Sequence, residues 1–137
     1  MTTIRLCMFA AVALALAGCN ANQAGSAGSA APQELSVAFN WCGAASPSFR
    51  IGNIPEGASK LRLRMTDRHV PSYNHGGGEV PVAGGSTASI PCGRLVGSYN
   101  GPNPPAPQVH DYEWTVTALD ANGKVIARGS ALRKFPE

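Results

Sequence analysis

The stretch from Gly97 to Asp120 constrains this chain more than any other. Its first half, Gly97-Ser98-Tyr99-Asn100-Gly101-Pro102-Asn103-Pro104-Pro105-Ala106-Pro107, cannot be a helix or an interior strand. Pro102, Pro104 and Pro105 remove backbone donors and fix φ, while Gly97 and Gly101 admit dihedrals closed to other residues. A stiff loop of mostly extended backbone is predicted. The second half alternates. Tyr112, Trp114, Val116 and Ala118 fall on one face and Glu113, Thr115 and Thr117 on the other, which predicts a half-buried strand. The loop therefore feeds His110 and Tyr112, two same-facing polar-tipped residues, into the start of a core strand. A concave backbone wall beside a few polar groups at the mouth of an apolar layer is how a small pocket is built.

The rest of the chain reads as short strands between Gly and Pro. Leu35, Val37, Phe39 and Trp41 alternate with polar or small residues and predict a first strand from near Glu34. Ser46 to Gly57 reads as turn, because Pro47, Gly52, Pro55 and Gly57 interrupt any regular element. Lys60-Leu61-Arg62-Leu63-Arg64-Met65 is the clearest strand, with three apolar side chains on one face and three bases on the other, as in a sheet with one wet face. Glu79–Ala83 and Thr87–Pro91 are shorter candidates around Gly84-Gly85. Asp120-Ala121-Asn122-Gly123 predicts a turn joining Tyr112–Leu119 to Lys124–Arg128 as a hairpin, with Gly129–Glu137 adding a short edge segment. No part of the chain after the first 33 residues has sustained helical periodicity. The pattern predicts an all-β, single-domain sandwich of antiparallel strands over residues 34–137.

The first 33 residues read differently. Met1 to Arg5 is a short charged n-region, Leu6 to Ala17 an apolar h-region, and Leu16-Ala17-Gly18-Cys19 a lipobox, so residues 1–18 are expected to be a lipoprotein signal peptide. Leu6–Ala17 is shorter than the ~20 residues that cross a bilayer core. Cys19 is the expected lipidation site and residues 19–33, rich in Ala, Gly and Ser, a flexible tether. Asn20, where many such proteins carry an inner-membrane aspartate, favours a periplasm-facing anchor in the outer membrane. The formal charge of +3 becomes +2 without Arg5. So small an excess, with no basic run, argues against a nucleic-acid partner. Cys7 leaves with the leader; Cys42 and Cys92 remain as an even pair in an oxidising compartment, which favours one disulfide. A metal site at this pair is the weaker alternative, since neither cysteine belongs to a C-x-x-C or C-x-H spacing.

The motifs G-x-Y-x-G-P-x-P-P, then His110-x-Tyr112, then Ala118-Leu119-Asp120, in this order, resemble the phosphatidylethanolamine-binding protein family and its bacterial Raf-kinase-inhibitor-like members. The resemblance runs roughly from Val37 to Lys124. It implies a Greek-key β-fold with a large antiparallel sheet and a small anion pocket for phosphate-like head groups. In it, Asp67, His75, Gly101, Pro102, His110 and Tyr112 would bind the ligand. His110 and Tyr112 would act as donors, Asp67 as orienter, and Gly101-Pro102 and Pro104-Pro105 as wall. The family's D-P-D-x-P appears as Asp67-Arg68-His69-Val70-Pro71, with only the first and last residues kept.

Each assignment has a plainer counterpart. Asp67 is equally read as a turn cap, His75 with Gly76-Gly77-Gly78 as a solvent loop, and His110–Tyr112 as a satisfied polar pair at a strand end. Asp67, His69, His75 and His110 lack a recognised ligand spacing, so no metal is assigned and no cofactor is expected. No G-x-S-x-G elbow or placed nucleophile accompanies His110, so no enzyme activity is expected. The sequence therefore reads as a lipid-anchored envelope protein binding a small anionic or phosphate-bearing ligand. The alternative is a protein–protein module that inhibits or regulates a protease or another envelope component.

Overall fold

Strand alternation sets the architecture of the computed structural model, which describes residues 31–95 and 98–137. Eight strands are present among them: β1 (Gln33–Glu34), β2 (Ser36–Cys42), β3 (Ala45–Gly52), β4 (Lys60–Asp67), β5 (Gly77–Pro81), β6 (Ala88–Ile90), β7 (His110–Leu119) and β8 (Val125–Phe135). They form a five-stranded sheet in the order β1-β8-β7-β4-β5 and a three-stranded sheet in the order β2-β3-β6. There is no helix among the described residues. The expected signal peptide, Cys19 and most of the tether, and also Gly97, lie outside them.

The inward faces are those that the alternation marks. Leu61, Leu63 and Met65 of β4 and Tyr112, Trp114, Val116 and Ala118 of β7 are buried. Each such aliphatic side chain contributes about 1.5–3 kcal/mol on leaving water. The small sheet answers with Phe39, Phe49, Ile51 and Ile90 in the same core. The Phe49 and Trp114 rings meet edge to face at 5.0 Å between centroids, and Trp41 meets Tyr112 at 5.9 Å, a favoured aromatic geometry. The Trp41 indole N–H donates to the Lys134 carbonyl at 2.8 Å and ties β2 to β8.

Three details depart from the sequence reading. Ala45–Gly52 is strand β3, not turn. Its Pro47 lies at a register shift, where Asn40 pairs with Ser48 but Cys42 with Ala45, so two residues of β3 oppose one of β2. A bulge is a place where a strand tolerates a missing donor. The segment after the Asp120 turn is one strand of 11 residues rather than a short strand and an edge. β8 is interior because β1 pairs with its far side, in parallel, through Gln33↔Ala127 and Glu34↔Arg128. The sandwich is thus mixed, with one short parallel pair among antiparallel ones. Gly129 makes that approach possible, since a Cβ there would overlap the Leu35 carbonyl.

The expected disulfide is present. Cys42 at the end of β2 joins Cys92 just after β6, with Cα atoms 5.9 Å apart and a sequence separation of 50. It ties the two edge strands of the small sheet across β3.

Candidate functional site

β4 and β7 pair in antiparallel register along their length, ending with Asp67 opposite Tyr112. The register sets the acid at the end of one core strand beside the start of the next, where His110 and Tyr112 point inward and are buried. The Asp67 carboxylate does two things at once. Its Oδ1 accepts from the His69 and Val70 amides at 2.8 and 3.2 Å, which caps the turn after β4. Its Oδ2 accepts from His110 Nδ1 at 2.7 Å. Burial alone would raise the Asp67 pKa, but the His110 bond and the two amides hold it below the usual carboxylate value. Tyr112 is pushed the other way, up to about 12, by burial first and by the neighbouring Asp67 charge second. The second nitrogen of His110 lies 2.9 Å from Gln108 Oε1.

His75 arrives from the loop before β5. Its Nδ1 donates to the Asn100 carbonyl at 2.9 Å, and the Asn100 amide returns a bond to the His75 carbonyl at 2.9 Å. The Asn100 carboxamide also donates to the Tyr73 hydroxyl at 2.7 Å. The two loops close this way because residue 76 is glycine. It has φ of 69° and pairs with Tyr99, and a Cβ would overlap the Ser98 carbonyl. The His75 ring stands edge-on to Tyr112 at 5.3 Å.

Asp67, His75, His110 and Tyr112 therefore line one cavity of about 170 Å³, together with Val70, Tyr73, Asn103 and Pro105. Of the six ligand residues read from the sequence, four converge here. Gly101 and Pro102 do not; Gly101 lies against the Tyr99 ring instead, and the proline loop supplies Asn103 and Pro105 as wall. A wider depression of about 480 Å³ lies over the small sheet around Asn40, Ser48, Arg50 and Ser89, and Arg50 is the one charged residue in its lining. The smaller cavity carries the chemistry.

His69 stays outside the cavity. Its ring, half exposed, stacks on His110 at 4.5 Å and 16°, and its Nδ1 accepts from the Asp111 amide at 3.2 Å. Asp67, His69 and His110 offer donor atoms within 4.8 Å of one another. As arranged they do not fit a metal. Imidazole lone pairs lie in the ring plane, and two nearly parallel planes cannot both contain one ion. Gln108, Asn100, Asn103 and Tyr73 were not read from the sequence. Gln108 had a signal, since it sits two residues before His110 at the entry to β7; Asn100 holds His75 through its backbone, which had none.

No family model matches the chain, and no curated relative matches it. Among solved structures, it is similar to a homolog of phosphatidylethanolamine-binding protein from Chlamydia trachomatis. The TM-score is 0.56 and the identity 18%, over 77% of this chain and 98% of that one. The protein is thus an all-β protein of the phosphatidylethanolamine-binding fold. At this identity the likeness is one of fold.

Proposed function

We propose that the protein belongs to the phosphatidylethanolamine-binding family and acts by binding, without turnover, a small anionic or phosphate-bearing ligand in the Asp67–His75–His110–Tyr112 cavity. One observation carries the reading: four polar side chains from three separate segments converge on a single small cavity. A volume of 170 Å³ suits a head group rather than a whole lipid, since pockets for drug-sized ligands run to ~300–1,000 Å³. The loops are tied by hydrogen bonds before any ligand arrives. Such pre-organisation lowers the ordering cost of binding. We further propose that Cys19 carries a lipid that holds the domain at the periplasmic face of the outer membrane.

NMR titration of the protein with inorganic phosphate tests the pocket. The His110 and Tyr112 resonances are expected to shift, and His110→Ala to abolish the response. Resonances unmoved at high millimolar phosphate would remove the reading. Fatty-acid labelling tests the anchor, which fails if label persists in Cys19→Ser.

A protein partner is the second reading, favoured by three half-exposed apolar side chains, Val70, Tyr73 and Val109, that line the cavity or adjoin His110 in sequence. It requires inhibition of a protease or capture of an envelope component that is lost on changing these three residues and kept in His110→Ala.

A further inference from the structure

Gly76-Gly77-Gly78 also leaves a bare strip on the outer face of the large sheet. β4 sends Arg62 and Arg64 to that face, two residues apart and both exposed. Across the β4–β5 ladder Arg62 stands opposite Glu79, and Arg64 opposite Gly77. The first of these is an ion pair. Arg62 Nε donates to Glu79 Oε1 at 2.7 Å and Lys60 Nζ to Oε2 at 2.8 Å, so both oxygens of that carboxylate are taken. At the second, β5 has no acid to offer. Residue 77 has φ of 151°, and a Cβ there would overlap the Leu63 carbonyl, so no side chain can stand at this position. On its other flank Arg64 meets Thr115, and Ser130 lies beyond. Glu113, two residues from Thr115 on β7, is committed to Arg68. Among the described residues no side chain bonds the Arg64 guanidinium.

The strip is the floor of a depression of about 370 Å³, ringed by Arg62, Arg64, Asn74, Glu79 and Ser98. It shares no residue with the Asp67–His110 cavity. The Asn74 oxygen accepts from the Gly76 amide at 3.0 Å, which leaves its NH₂ as the unused end. The Ser98 hydroxyl is spent on the Gly77 carbonyl and ties the rim to the floor. We propose that this depression is a second binding site, for the carboxylate of a small organic acid, which takes at Arg64 the place that Glu79 takes at Arg62. A guanidinium fork matches a carboxylate with two parallel bonds. Asn74 adds a neutral donor, and the glycine floor lets the body of the ligand lie against backbone. The volume falls within the ~300–1,000 Å³ of small-molecule sites. This site is separate from the function proposed above and does not depend on it.

The test titrates the full-length protein with N-acetylglutamate α-amide, which carries one carboxylate on a flexible stem, and with N-acetylglutamine α-amide, its neutral near-isostere. In proton–nitrogen NMR spectra the Arg64 Nε–H, the Asn74 carboxamide and the Gly76–Gly78 amides are expected to shift saturably with the acid. They are expected to stay put with the neutral compound. Arg64→Gln is expected to weaken binding roughly 10-fold or more, the range for a hydrogen bond to a charged group. Its melting temperature should match wild type, because the side chain is exposed and unpaired. His110→Ala is expected to leave the response intact. The inference is overturned if the two compounds act alike, if sodium chloride at matched ionic strength reproduces the shifts, or if Arg64→Gln binds as wild type does. A response lost in His110→Ala and kept in Arg64→Gln puts the acid in the other cavity and overturns it as well.

Discussion

Replacing Asp67 by Asn isolates the charge at the centre of the site. The substitution is nearly isosteric, and the Asn oxygen can still accept from the His69 and Val70 amides that now meet Oδ1. What is lost is the 2.7 Å bond between His110 Nδ1 and an ionised oxygen, both side chains being buried. A hydrogen bond to a charged group contributes about 1.5–3 kcal/mol net, so a loss of that size is expected near neutral pH. With a urea slope of about 1–3 kcal/mol per molar, the unfolding midpoint should fall by roughly 1 M. The sign of the pH dependence is fixed by Asp67, whose folded pKa lies below its ordinary value. Its stabilisation is fully present above the unfolded pKa and is lost as pH falls through the folded one. Wild type and Asp67→Asn should therefore converge on acidification below the ordinary aspartate range. Urea unfolding of both proteins across pH, followed by tryptophan fluorescence, measures the gap. A gap below about 0.5 kcal/mol at neutral pH, the usual size for a surface change, would refute the argument. So would a gap that acid leaves unchanged.

The Cys42–Cys92 bridge closes a loop of 50 residues, for which chain entropy gives about 4 kcal/mol; Cys42→Ser with Cys92→Ser should lower stability by about 2–4 kcal/mol in chemical denaturation, and an unchanged midpoint would show that the loop is not loose when unfolded. Gly129→Ala should cost about 1–3 kcal/mol as overpacking, because its Cβ would overlap the Leu35 backbone and push β1 off β8; loss of amide protection at Leu35, which donates to the Arg128 carbonyl, is the local readout. Tyr112, raised to about 12, should ionise last in an ultraviolet alkaline titration, and Tyr112→Phe should remove that step. Its stabilising effect is present below the unfolded tyrosine pKa of ~10 and lost as pH rises through about 12.

Period-two alternation was enough to read the faces of β4 and β7 from the sequence. Side chains on a strand have no other choice of side, so Leu61, Leu63, Trp114 and Val116 had to face the core. The hairpin at Asp120-Ala121-Asn122-Gly123 was equally legible, because turn chemistry is local: Asp120 Oδ1 accepts from the Asn122 and Lys124 amides at 2.9 Å each. The pairing of His110 with Tyr112 followed from the same parity. Pro47 misled, since whether a proline breaks a strand depends on what its neighbour needs from it. Here β2 asks for nothing at the bulge.

Only the tertiary structure decided the rest. That β8 is interior rests on β1 returning from 94 residues earlier in sequence, with Gly129 leaving room for the Leu35 backbone beside it. The approach of Asp67 to His110 spans 43 residues and depends on the β4–β7 register. His75 joins the cavity through the Asn100 backbone carbonyl, and every residue has one, so no residue type could have announced it. The choice of Asn103 and Pro105 over Gly101 and Pro102 as wall is set by where the loop bends. Residue types and their spacing determine local geometry and the face that seeks burial. Which distant groups then meet is decided by the packing of two sheets whose contacts the sequence order does not contain.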